Sequence, residues 1–113
     1  MTASTHTIEV LPTNADVCLD GVWLPDNTLF TFSPAESTTL SVVCNASGVT
    51  LSIAEYVDGE LENWSGTSKT YPGDNEEHAL VITMDHAGGT AKRTPKVKQP
   101  PPIIRPTDAV VLG

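Results

Sequence analysis

Bases are almost missing from the first four-fifths of this chain. From Met1 to Ala91 the only one is Lys69, set against thirteen acids, a net charge of −12. A surface of that sign repels phosphate backbones and anionic lipid over a Debye length of roughly 8–10 Å, which argues against nucleic acid or a membrane as partner. Long apolar runs are missing too, and none approaches the ~18 residues that a membrane helix needs. Met1-Thr-Ala-Ser-Thr-His6 has neither a basic n-region nor an apolar h-region, so no secretory leader is expected and a cytoplasmic origin is. There are only two cysteines, Cys18 and Cys44. In a reducing compartment they are expected as free thiols packed like small apolar groups. Their spacing is too short for the immunoglobulin disulfide around a Trp. A length of 113 residues fits one ordinary domain.

Helical periodicity is absent as well, and the apolar residues that are present alternate. Leu40, Val42 and Cys44 share one face of a run from Thr38 to Cys44. Val49, Leu51 and Ile53 alternate with Thr50, Ser52 and Ala54, and Leu80, Ile82 and Met84 with Val81 and Thr83. Period-two runs are the mark of half-buried strands. Thr28 to Phe32 and Thr7 to Leu11 read as two more. Gly, Pro, Asn and Asp interrupt every ~8–12 residues, which predicts an all-β fold, a small antiparallel β-sandwich or barrel.

Two Asp-Gly pairs predict tight hairpins, because type I′ turns need positive φ at both central residues. Around Asp20-Gly21, Leu19 faces Val22, Cys18 faces Trp23 and Val17 faces Leu24. Both faces of that hairpin are apolar, so cover on both sides is expected. Around Asp58-Gly59, Val57 faces Glu60, Tyr56 faces Leu61, Glu55 faces Glu62 and Ile53 faces Trp64. Like charges directly opposed are unfavourable. A different register or a nearby cation would relieve Glu55 and Glu62, but the reading favoured is a solvated pair at a sheet edge, where acids deter aggregation.

The charge changes sign at Lys92. Residues 1–91 form an acidic β domain and residues 92–113 a basic, proline-rich arm, with five bases against Asp108. Prolines at 95, 100, 101, 102 and 106 argue against helix and against a central strand, and Pro100–Pro102 predicts extended polyproline II. Apolar residues distinguish the arm from a purely disordered tail. Val97, Ile103, Ile104, Val110, Val111 and Leu112 are the expected anchors, foremost on another subunit, with docking on the chain's own body as a last strand and a free linker as the alternatives. Lys92, Arg93, Lys96, Lys98 and Arg105 are expected to meet acidic surface.

Catalytic groupings are not legible. His78 and His86 fall about 26 Å apart on one straight strand at ~3.3 Å per residue, too far for one zinc ion. His6 lies elsewhere, so no metal or other cofactor is expected. Asp85-His86 has no G-x-S-x-G elbow with it. Asp74, Glu76 and Glu77 lack the calcium-loop spacing. Trp23, Trp64, Tyr56 and Tyr71 suit a core at least as well as a sugar platform.

The signal-less Met1–Thr13 start, the compact strand body and the Lys92–Gly113 arm together resemble the small accessory virion proteins of tailed bacteriophages, above all capsid decoration or cement proteins. That resemblance implies a non-enzymatic virion component, clustered as a homo-oligomer such as a trimer on a capsid shell and gripping it with extended termini. Such proteins often reach out with the N-terminal arm, whereas the clearer arm here is C-terminal. The alternative expectations are an acidic binding module or inhibitor engaging a basic protein, and a sugar-binding β-sandwich.

Overall fold

A computed structural model describes residues 2–103. They form eleven strands: β1 (Ala3–Leu11), β2 (Asn14–Leu19), β3 (Val22–Leu24), β4 (Leu29–Thr31), β5 (Ser37–Val43), β6 (Thr50–Val57), β7 (Glu60–Asn63), β8 (Ser68–Pro72), β9 (Glu77–His86), β10 (Gly89–Arg93) and β11 (Lys96–Lys98). One sheet has the order β3-β2-β1-β5-β8; the other runs β4-β11-β9-β6-β7, with β10 also paired to β9. The alternating runs point their apolar sides into one shared core. Ile8, Val10, Val17, Leu40 and Val42 come from the first sheet, and Ile53, Leu80, Ile82, Met84 and Val97 from the second. Two sheets meeting across a common apolar layer make a sandwich-like all-β body.

Both Asp-Gly hairpins have the expected register, with Cys18 opposite Trp23 and Tyr56 opposite Leu61. Asp20, Gly21, Asp58 and Gly59 have φ of 48°, 90°, 52° and 84°. These are the left-handed values that the turn demands and that Gly, and next best Asp, adopts most readily. Cys18 and Cys44 are free, Cys18 buried and Cys44 half-buried against the core. Cover on both sides of the first hairpin is incomplete, since Trp23 is exposed beside the buried Cys18.

The sheets are mixed rather than wholly antiparallel. β1 pairs with β5 in parallel, and β4 with β11 in parallel. After β3 the chain crosses to the second sheet for β4 and returns to the first for β5, and such a crossover is what parallel neighbours require. Alternation marks which face is apolar but carries no record of which strand lies alongside.

The segment that starts at Lys92 begins within the strand body. Ala91 and Lys92 both belong to β10, and Lys96–Lys98 forms an internal strand between β4 and β9. Pro95 and Pro100 flank that strand instead of interrupting it, so its own N–H groups remain available. Val97 lies opposite Phe30 and His78 and is 1% exposed, buried in the chain's own core rather than held out as an anchor.

Candidate functional site

The group that departs furthest from expectation is Glu55. Its side chain is only 2% exposed, where the sequence suggests a solvated edge acid. Alternation along β6 turns Ile53 and Glu55 to the same inward face, and pairing with Leu80 of β9 sets the carboxylate one row beyond the apolar core. Removing a carboxylate from water is costly unless donors replace the solvent. Four do so. Trp64 Nε1 donates to Oε1 at 3.0 Å, the Tyr71 hydroxyl to Oε1 at 3.1 Å, and Lys69 Nζ to the same oxygen. His78 Nδ1 lies 3.1 Å from Oε2.

The donors come from both sheets. Lys69 and Tyr71 are two residues apart on β8 and face inward together, while His78 stands on β9 and Trp64 just beyond β7. The Tyr71 and His78 rings lie against each other at a tilt of 38°, 4.4 Å between centroids, and Lys69 Nζ sits 5.3 Å from the Tyr71 ring centroid. The cation relieving the Glu55–Glu62 opposition is thus Lys69. Burial alone would raise the Glu55 pKa, but the hydrogen bond and charge of Lys69, with Trp64 and Tyr71 adding donors, hold it below the usual carboxylate value. Burial and the Glu55 charge push the Tyr71 hydroxyl far up, so it stays protonated and donating.

Above this network the sandwich has an open side between β7 and β8. A cleft of about 330 Å³ there is lined by Glu62, Asn63, Trp64, Ser65, Ser68 and Lys69. Its neighbour of about 380 Å³ reaches Glu55, Tyr71 and His78. A carboxylate whose oxygens already accept four donors is ill-placed to take a proton, and no hydroxyl bonds His78 Nε2 among the described residues. The arrangement binds sheet to sheet; it does not assemble a nucleophile, a base and an orienting acid. Among the described residues no three His, Cys, Asp or Glu side chains come together to hold a metal ion. His6 instead pairs with Asp20 at 2.6 Å and stacks on Phe32 at 4.0 Å.

The expected arm residues separate into three groups. Arg93 donates from Nη2 to Leu11 O at 3.0 Å and Asn14 O at 2.7 Å, tying β10 to the β1–β2 turn of the opposite sheet. Lys92 lies on β10 and Lys98 on β11; Lys96, also on β11, is 3.9 Å from Glu77. Ile103 is 76% exposed where the chain leaves the body. Ile104, Arg105, Val110, Val111 and Leu112 lie outside the described residues. The Glu55 network was missed from sequence because its ligands are spread over 24 positions; the one signal was the Glu55–Glu62 opposition itself. No protein-family model, curated protein or solved structure matches this chain.

Proposed function

We propose that this chain is a non-enzymatic assembly protein that stabilises a larger protein structure, of the kind represented by the decoration or cement proteins of phage capsids. The observation that carries the reading is the open side of the body. There Tyr56 of β6 and Leu61 of β7, 51% and 50% exposed, stand opposite each other on the hairpin whose β7 is the edge strand among the described residues, while Ile103 is 76% exposed where the chain leaves the body. Exposed apolar groups grouped at a sheet edge favour protein contacts. Repeated arm contacts within one oligomer would turn later contacts into intramolecular ones and so raise avidity.

The test is the native mass of the full chain beside a chain ending at Pro102. The end at Pro102 keeps β11 and the buried Val97 in the shortened chain. An oligomer that becomes a monomer on this shortening supports the reading. A monomer in both forms counts against self-assembly and favours the acidic-binder alternative, for which Asp58, Glu60 and Glu62 stand exposed on one hairpin. That complex would weaken steeply with salt, an apolar one far less.

A further inference from the structure

The backbone hydrogen bonds show which groups of β7 point away from β6. Trp64 N donates to Ile53 O at 2.8 Å, so the Ile53–Trp64 pair is hydrogen-bonded across the hairpin. In an antiparallel ladder such pairs alternate, so Glu55–Glu62 and Val57–Glu60 are bonded inward. The N–H and C=O of Leu61 and Asn63 therefore point outward from β7, which among the described residues ends its sheet. On the outer face Leu61 stands opposite Tyr56, and both are exposed.

A strand that pairs here needs apolar residues beside Leu61 and little negative charge. A second β7 is disfavoured, because Glu60 and Glu62 would oppose their own copies. The other edge of the open side, β8, presents Ser68 and Thr70, whose hydroxyls already meet Ser41 and Thr39. Ala109-Val-Val-Leu112 is four residues long, as β7 is, apolar and β-favouring. Ten residues follow Ile103, up to roughly 33 Å of extended chain. Pro100–Pro102 stiffens the departure, which lowers the ordering entropy of docking.

We infer that Ala109–Leu112 of a second copy adds as a strand to β7, with its backbone on Leu61 and Asn63 and its apolar side chains beside Leu61 and Tyr56. This rests on the assembly reading and names the surface that carries it. Strand addition of this kind takes its affinity from main-chain hydrogen bonds and its specificity from alternate side chains. Proline at Asn63 removes an outward donor while leaving the inward ladder intact, a substitution that edge strands tolerate.

The experiment compares sedimentation mass and amide exchange for the full chain, the chain ending at Pro102 and full-length Asn63→Pro. Expected is an oligomer for the full chain and monomers for both variants with unchanged far-ultraviolet β signal. Protection of the Leu61 and Asn63 amides should be at least tenfold greater in the full chain than in the shortened one. Should Asn63→Pro lose its β signal, amide protection between the other two decides alone. If only the shortened chain is monomeric and protection at Leu61 is equal in both, the β7 site is overturned and the assembly reading survives. If the full chain is a monomer, or the shortened chain keeps the oligomer, the inference is also overturned; only a monomeric full chain removes self-assembly with it.

Discussion

Glu55 on one sheet and Lys69 on the other form an ion pair that spans the open side of the sandwich, joining the one acid buried among the described residues to the one base that precedes Lys92. Lys69 remains 41% exposed, so water screens its half of the pair while the carboxylate has exchanged water for protein donors. The pair is consequently asymmetric. Losing the cation leaves a buried charge; losing the carboxylate leaves a cation that water can solvate.

Lys69→Met is expected to lower unfolding free energy by about 1–3 kcal/mol, the cost of leaving a buried charged acceptor short of a donor. Lys96→Met should change it by less than about 0.5 kcal/mol, since Lys96 and Glu77 are an exposed pair 3.9 Å apart. Urea denaturation of the two variants at neutral pH makes the comparison, and equal effects would refute the special position of Lys69.

Acid should act through the same carboxylate. The Glu55 pKa lies below its ordinary value of 4.5 in the folded chain, so its contribution to stability is complete above that value and is lost as pH falls through the folded one. Asp20 behaves alike: burial raises its pKa, but His6 and the Thr7 N–H outweigh it and leave it below 3.8. Denaturation midpoints followed downward from pH 6 should fall most below pH 4.5 in the parent chain. Glu55→Gln, destabilised at neutral pH by about 1–3 kcal/mol, should show a shallower decline. A parallel decline would exclude Glu55 as a source of the acid sensitivity.

Two arm residues should respond oppositely to the same substitution. Val97→Asp places an unpaired charge in the core and is expected to abolish the cooperative β transition. Ile103→Asp, at an exposed position, should shift body stability by less than about 0.5 kcal/mol and act on association instead. Thermal melts monitored by circular dichroism, run beside native mass, separate the two effects.

Gly73 is closed in chiefly by the backbone of Ala35 and, less tightly, by Pro101. A Cβ there would stand 2.1 Å from Ala35 O and 3.1 Å from Pro101 Cα. Gly73→Ala is therefore expected to cost at least about 1–3 kcal/mol, the scale of overpacking that backbone must absorb. Gly66→Ala meets nothing within 4 Å and should be near neutral. Similar melting temperatures for the two variants would mean that the Ala35 backbone does not close on Gly73.

Much of the body was legible because its signals are local. Alternation in Leu40–Val42 and Leu80–Met84 follows from the strand's period of two, and Asp-Gly at 20–21 and 58–59 fixes hairpin register through φ alone. β8 is not legible as a strand, since Ser68-Lys-Thr-Tyr-Pro72 places only Tyr71 as a large apolar group on its inward face. β11 is hidden by the prolines at 95 and 100, although only Lys96–Lys98, three of the four residues between them, need to pair.

The sequence by itself determined which faces are apolar, where the chain turns back on itself and how charge divides along it, because each depends on residues near one another. Only the tertiary structure decided that β1 lies along β5, that Val97 belongs to the core and that Glu55 is buried. Strand partners, and the donors around a carboxylate, are gathered from distant positions by packing two apolar sheet faces together. A single acid in a strand reads the same whether water or Lys69, Trp64, Tyr71 and His78 surround it.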